Sequence, residues 1–522
     1  MDSLEKLAEG IAASGLKHVF GIPGSGPSLT LIDCLEKLNV EFCLTHFEGT
    51  AAIMAGTLGR LSGNSGVSVS IKGPGLANML PGIAACYFES LPVVAITESY
   101  LPDAPLANAH KRLDHKLLMA GVVKGSRFLS SNGPRFHELA DWSEDEIPGP
   151  VHFDISNTPI ENDNPIINEG EKDKGCFDTR RFFDLVSSSK RPVVIACTLA
   201  VRRGWSKWLN KLSIPVFSVA AAKGVVDETL PQSAGVYTGS GLKLTPEYSI
   251  IPKADLIICL GLRHREVLSV IDFQCKVVNV DPMGEVYSSG YQIETMISGS
   301  KEEIDELYTS LENKEWGREL LSKNINKMRA YMLSGSFLPA NAYMVIEQHF
   351  KNNARVVFDT GNFCTIGEHI WRVSDPGRYL SSGQGRFMGT GIPMALGSLF
   401  YDSQTPTIVF TGDGGIGMFI SDIKIAVQRC SPLLIILMSD GGFGSIRSRA
   451  IADGLTQKPL TISKPSWLKV FEGFGVESVQ AESVEKLDNI ISDWKPSEGP
   501  LFIQIPFDPE KYLKMVESIR AG

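Results

Sequence analysis

The sequence predicts an α/β protein built from three doubly wound parallel-sheet domains. Three observations carry that expectation. At 522 residues the chain exceeds what one ordinary core holds, and three domains are the natural division. Short apolar runs alternate with helix-length segments along nearly the whole chain, the pattern of βαβ units. Two of those runs end in Gly- and Asp-rich turns, at the strand ends where open parallel sheets place their ligands.

A first domain spans 1–157. A helix from Leu4 to Ser14 leads to a strand at Val19-Phe20-Gly21, the loop Ile22-Pro23-Gly24-Ser25-Gly26 and a helix through Leu35. Glu41 to Thr45 is strand-like, and a helix starts at Glu48. The strand Gly66 to Ile71 precedes the turn Gly73-Pro74-Gly75, which opens another helix; strands at Pro92 to Thr97 and Gly149 to Ile155 complete the unit. Residues 158–179 read as a linker, dominated from Glu161 by Asn, Asp, Glu and Lys. A central domain, 180–330, has strands at Pro192 to Ala196, Ile214 to Ser218, Ala254 to Gly261 and Lys276 to Val280, then a charged helix and connection from Lys301 to Lys327. The third domain, 331–522, has strands at Thr407 to Phe410, Leu433 to Met438 and Leu501 to Ile505.

Composition narrows the function classes. A formal charge of −9 leaves no basic excess for nucleic-acid phosphates. The nine cysteines lie scattered without a CxxC pair, which suits reduced thiols and neither a disulfide framework nor a zinc site. The N-terminus lacks the basic start and unbroken apolar core of a signal peptide, and no apolar run approaches membrane-spanning length. A cytoplasmic protein with neither nucleic-acid nor membrane partners is expected.

The chemistry concentrates in two turns. One strand ends in Gly412-Asp413-Gly414-Gly415; after a helix-length segment the next ends in Ser439-Asp440-Gly441-Gly442, its Asp 27 positions beyond Asp413. Glycines let backbone N–H groups approach a phosphate, and a following helix N-terminus adds positive potential. Two carboxylates at adjoining strand ends are hard oxygen ligands suited to Mg²⁺. A GDG turn alone could equally be a Gly-rich connection whose aspartate caps a helix; its pairing with a second such turn at another strand end favours a functional role.

This pair of turns resembles the signature of the thiamine diphosphate enzymes of the acetolactate synthase, benzoylformate decarboxylase and pyruvate oxidase group: GDG, a spacer of this length, then an Asn-containing turn. The resemblance covers nearly the whole chain and implies a pyrimidine-binding and a diphosphate-binding domain flanking a Rossmann-like central one. It implies that Asp413, Asp440 and the carbonyl of Gly442 hold Mg²⁺, with Asp440 standing where the family has Asn. A second carboxylate adds negative charge beside a diphosphate, so a tighter metal dependence is expected. The resemblance places Gly412, Gly414, Gly415, Phe443 and Gly444 against the cofactor, together with Gln384 and Met388 of the Ser381 to Pro393 segment. It adds Gly73 and Asn78 of the Gly73-Pro74-Gly75 segment, and Cys364 and Thr365 beside the diphosphate.

By itself Glu48, in His46-Phe47-Glu48-Gly49-Thr50-Ala51-Ala52, reads as a helix-start residue serving N–H groups and the helix dipole. The resemblance makes it the catalytic carboxyl that shares a proton with the cofactor's aminopyrimidine, a task suited to an acid in apolar surroundings. Met388 would then prop the cofactor in its bent shape. Because the family's facing domains come from two subunits, an obligate homo-oligomer with active sites between subunits is implied; a small regulatory subunit is left open.

The expected reaction is decarboxylation of a 2-oxo acid with carboligation to a second carbonyl, as in acetolactate synthases. The segment Ala109 to Lys116 carries His110-Lys111-Arg112 where those enzymes have Phe-Gln, and Arg449 stands where they have Trp. Lys72 replaces a small polar residue, and Ser25 resembles the benzoylformate decarboxylase loop. Lys72, His110, Lys111 and Arg449 could line a cationic pocket for a substrate with an extra anionic group, or be solvated surface charges. A simple 2-oxo acid decarboxylase is the second reading. An acyl-CoA or oxalyl-CoA lyase is the third, with Arg202-Arg203-Gly204-Trp205 either holding an ADP moiety or forming a surface loop. A non-catalytic homologue is the last. Flavin (FAD) is not expected, because the strand at Val193 to Cys197 runs into Thr198-Leu199-Ala200 without the glycines of flavin-binding relatives.

Overall fold

The computed structural model describes the chain except residues 1–2, 106, 108–109, 134, 164–165, 168–175, 241, 264, 268, 270–272, 285–290, 463–464 and 521–522, so much of the expected linker lies outside the described residues. Three sheets are present. The N-terminal sheet contains β1 (His18–Ile22), β2 (Glu41–Leu44), β3 (Gly66–Ser70), β4 (Val93–Glu98), β5 (Gly125–Phe128), β6 (Pro150–Ile155) and β7 (Ile166–Ile167), in the order 2-1-3-4-6-5-7. All its pairs are parallel except that of the two-residue β7 with β5. The middle sheet has β8 (Pro192–Ala196), β9 (Val216–Val219), β10 (Ser233–Tyr237), β11 (Leu256–Leu260), β12 (Lys276–Val280) and β13 (Ile293–Ile297), ordered 10-9-8-11-12-13. The C-terminal sheet has β14 (Arg355–Phe358), β15 (Tyr379–Ser381), β16 (Thr407–Gly412), β17 (Leu433–Ser439), β18 (Glu477–Gln480) and β19 (Leu501–Pro506), ordered 15-14-16-17-19-18. Central strands such as β4, β8, β11 and β17 are buried along their whole length, as strands covered on both faces must be, and are written in Val, Ile and Leu.

The chain forms two compact units. The first comprises Met1–Gly170, Gly389–Thr407 and Gly417–Leu433; the second comprises Glu171–Met388, Ile408–Ile416 and Leu434–Gly522. The first therefore takes the N-terminal sheet together with the helix Gly391–Tyr401, and the second takes the middle sheet and most of the C-terminal one.

Two expectations are revised. The helix-length segment after Gly415 is a glycine-rich turn, a 3-10 turn at Ile420–Ile423 and a helix of only five residues, Lys424–Gln428. Gly414, Gly415 and Gly417 each disfavour helix, which explains the late start. The charged stretch from Lys301 is two helices, Lys301–Leu311 and Arg318–Met332, broken at Gly317 in the left-handed region.

In the first unit the Glu48–Ser62 helix is the buried centre: every residue from Glu48 to Gly59 is buried. Its run of Gly, Ala and Thr lets neighbours approach to backbone contact. A Cβ on Gly82, in the Pro74–Phe88 helix, would lie 2.2 Å from the carbonyl oxygen of Gly49, and one on Gly397 would lie 2.6 Å from that of Met54. Glu48 is thus at the start of a helix with no room to shift. Gly82→Ala is expected to cost about 2–3 kcal/mol by overpacking, read as a lowered denaturation midpoint. Gly121→Ala, with nothing within 4 Å of its new methyl, serves as the neutral control.

Candidate active site

In the second unit a candidate site is built on β16 and β17, neighbouring strands whose ends carry the two aspartates. Asp413 is 8% exposed. Its carboxylate accepts hydrogen bonds from the Ser439 hydroxyl at 2.9 Å and from the Asp440 and Gly441 N–H groups, both at 2.8 Å. It therefore clamps the turn after β17, where Gly441 takes φ +82°, to the end of β16. Asp440 accepts from the Gly442 N–H at 3.3 Å. A Cβ on Gly444 would lie 2.3 Å from its other oxygen, so a side chain there would displace the Asp440 carboxylate. Burial, and then the charge of Asp413, push the Asp440 carboxyl up to about 6.

Asp413, Gly414, Gly415 and Asp440 line one cavity with Met388, Phe443 and the first residues of two helices, Asn362–Ile370 and Gly444–Ala452. Leading N–H groups of a helix have no intrahelical acceptor and, with the helix dipole, favour an anion. The Asn362 side-chain oxygen is buried there without a hydrogen-bond partner. Two carboxylates whose charges oppose each other beside two helix N-termini and a glycine turn form a donor set that suits a divalent cation bridging to a phosphate. The residues present fit thiamine diphosphate with Mg²⁺ on this chemistry.

Cys364 and Thr365 lie further into their helix and do not line this cavity; Thr360 to Phe363 do. The Cys364 thiol instead accepts from Arg386 at 3.1 Å. Arg386 also pairs at 2.7 Å with Glu368, which is wholly buried, and holds φ +51° two residues before Met388. Gln384 lies in the same half-buried segment. Arg449 is exposed, its guanidinium bonded at 2.6 Å to Asp453 one turn along in a surface pair.

In the first unit, Glu48 is 5% exposed. Burial pushes its carboxyl up, opposed by hydrogen bonds from its own backbone and from the Asn78 side chain. A Cβ on Gly75 would lie 3.3 Å from Glu48 Oε1, which places the Gly73-Pro74-Gly75 turn directly against it. Gly73 has φ +63° and its Cβ would meet the Lys111 carbonyl at 2.1 Å, so the turn requires glycine. The Gly73 N–H donates to His115 Nε2 at 3.1 Å, and His115 Nδ1 lies 2.7 Å from Asp154, which also accepts from Thr97.

Lys72 is 3.4 Å from Glu98, which is 1% exposed, and its ammonium lies 5.3 Å from the Tyr100 ring centroid. Lys72, Tyr100, Lys111, Arg112, His115 and Lys116 line a cavity of about 410 Å³. His110 is exposed and its carbonyl accepts from the Tyr100 hydroxyl at 2.9 Å. Ser25 is exposed on the loop that wraps Glu98. Lys72, His110 and Lys111 thus belong to the first unit and Arg449 to the second. Between β8 and β9, Trp205 is 8% exposed and packs in the core, so it offers no face for an adenine.

The sequence reading missed Glu98, His115 and Asp154. Glu98 has a signal: an acid ending the otherwise apolar run Val93–Thr97, at a strand end. Of the Gly361 to Thr365 run expected against the diphosphate, Gly361, Asn362 and Phe363 line the cavity.

Three family models match: the N-terminal binding domain of thiamine pyrophosphate enzymes at residues 1–115, their central domain at 179–304 and their C-terminal binding domain at 359–505. A probable acetolactate synthase large subunit of Methanococcus aeolicus is 24% identical over 99% of this chain and 94% of its own length. Acetolactate synthase isozyme 3 large subunit of Escherichia coli is 23% identical over 94% of the chain and 92% of its own length. A probable 2-ketoarginine decarboxylase of Pseudomonas aeruginosa is 23% identical over 92% and 89%.

The Asp440 carboxyl sets a pH prediction. A carboxyl raised in the fold opposes its own ionisation, so the metal-free fold loses stability as pH rises from the ordinary carboxylate range through about 6. Cation binding needs the ionised form. With thiamine diphosphate present, apparent Mg²⁺ affinity is expected to weaken by up to about tenfold per pH unit below that value, and Asp440→Asn to flatten the dependence. Mg²⁺ titrations by thermal shift at several pH values check this; identical pH dependence in both proteins would contradict it.

Proposed function

This chain belongs to the thiamine diphosphate-dependent enzymes, and from that premise we propose that it decarboxylates a 2-oxo acid and joins the remaining fragment to a second carbonyl compound. The observation that carries the chemistry is the buried Glu48 carboxyl, raised by burial and hydrogen-bonded by the Asn78 side chain at the start of a buried helix. Full-length likeness to acetolactate synthase large subunits favours carboligation as the outcome.

Bound thiamine diphosphate supplies the electron sink for cleaving the bond to the carboxylate carbon. The chain's residues do the rest. Asp413, Asp440 and the Gly442 carbonyl would hold Mg²⁺, and N–H groups around Gly414, Asn362 and Gly444 would receive the diphosphate. Met388 would supply an apolar wall against the cofactor. Glu48, whose Oε atoms hold a proton more readily than an ordinary carboxylate, would exchange that proton with the aminopyrimidine. Ser25 and Lys72 face the reacting acid, and the cations of the adjoining cavity favour substrates with a further anionic group.

Two copies are part of the proposal: Glu48 of each serves the metal end of the other, in a homodimer or a pair of them. Mixing Glu48→Gln protein with Asp413→Ala protein under subunit exchange is expected to regain activity absent from either parent. Simple decarboxylation is the second reading, favoured by the solvent-facing Arg449 where the acetolactate synthase resemblance leads one to expect Trp. Product identification on pyruvate and a panel of anionic 2-oxo acids separates the two. An acyloin is expected; an aldehyde as sole product would overturn the carboligase assignment and leave the decarboxylase.

A further inference from the structure

We propose that Glu98 is the positioning residue on which the substrate side of the first unit is built, fixing both the loop that presents Ser25 and the ammonium of Lys72. This rests on the reading above that Ser25 and Lys72 face the reacting acid.

Glu98 is the last residue of β4, at the strand end where a parallel sheet presents its ligands, and it is 1% exposed. A carboxylate so deep must be matched by donors. Its Oε1 accepts from the Gly26 and Ser28 N–H groups, both at 3.2 Å, and from the Ser28 hydroxyl at 2.6 Å. Its Oε2 faces Lys72 at 3.4 Å. The Ser28 hydroxyl in turn accepts from the Gly24 N–H at 2.8 Å. The N–H groups of residues 24, 26 and 28 therefore all turn inward on one carboxylate, directly or through Ser28, and Ser25 is left exposed on the outer side.

Local sequence is written for this arrangement. A Cβ on Gly24 would lie 2.5 Å from Glu98 Oε1, and one on Gly26 3.3 Å from it. The Pro27–Lys37 helix starts after Gly26 with no side-chain cap of its own, so a carboxylate from another strand takes the N–H groups of Gly26 and Ser28 and complements the helix dipole. Lys72 has Glu98 as its acceptor and the Tyr100 ring beneath it, and it lines the cation-rich cavity. Glu98 thus aims one donor of Lys72 inward and cancels its charge. Lys72 contributes hydrogen-bonding direction to the site, and the net positive charge of the cavity comes from its other cations.

The test compares Glu98→Gln, Ser28→Ala, Ser25→Ala and Lys72→Met in the full chain loaded with thiamine diphosphate and Mg²⁺. Measured are kcat and KM on the 2-oxo acid turned over fastest in the panel, cofactor content, thermal midpoint, and amide hydrogen exchange of the segment 21–31. Glu98→Gln is expected to lower kcat/KM by about tenfold or more, the loss of one charge-assisted hydrogen bond, with KM raised, cofactor content unchanged, and exchange at 24, 26 and 28 accelerated. Ser28→Ala, which keeps the carboxylate, is expected to change the same readouts in the same direction and less, so the proposal stays testable if Glu98→Gln folds poorly. Combining Glu98→Gln with Lys72→Met should lose less than the product of the two single losses. The inference is overturned if Glu98→Gln keeps wild-type kinetics per loaded site or lowers only the thermal midpoint, while Ser25→Ala and Lys72→Met are impaired. Wild-type kinetics in Ser25→Ala and Lys72→Met would instead overturn the reading on which it rests.

Discussion

Everything in the proposed chemistry depends on keeping a carboxyl group dry. Glu48 opens a helix with no exposed residue before Gly59, and its neighbours approach to backbone contact through Gly49, Gly82 and Gly397. Burial disfavours the charged carboxylate, so the group holds a proton more readily than an exposed acid would and is not merely a helix cap. The small residues of this stretch are the means to that end: each removes a side chain that would have lifted a neighbouring helix and let water reach the acid.

The opposite constraint governs the turns that carry Asp413 and Asp440. There two acids adjoin each other, and the fold tolerates them by giving each a different task. Asp413 spends its carboxylate on three donors of the neighbouring turn and ties β16 to β17. Asp440 keeps an oxygen beside Gly444, with its own charge opposed by Asp413. A cation relieves that opposition, and the helices starting at Asn362 and Gly444 supply the complementary field for an anion.

The parts legible in the sequence are those that repeat a pattern or forbid alternatives. Buried parallel strands such as Pro192–Ala196 and Lys276–Val280 fall where their apolar runs predict, and the glycines of the two turns locate the acids at strand ends. Strands at the sheet margins escaped notice: Glu477–Gln480 is half exposed and mixed in polarity, and Tyr379–Ser381 is only three residues long. The segment after Gly415 was readable as helix only by its length, and its glycines decide otherwise. Partnerships were least visible. Nothing local pairs Lys72 with Glu98, or Gly73 with His115 and Asp154, because those contacts join residues brought together only by sheet order. Arg449 illustrates the converse, a charge whose nearest partner, Asp453, lies one turn away in the same helix.

The central claim is that Glu48 carries the proton that activates the cofactor. Its most direct test is hydrogen–deuterium exchange at thiazolium C2 of thiamine diphosphate bound to wild-type and Glu48→Gln protein, without substrate. The account predicts exchange slowed by about a hundredfold or more in the variant at equal cofactor occupancy. Equal exchange rates in the two proteins would contradict it.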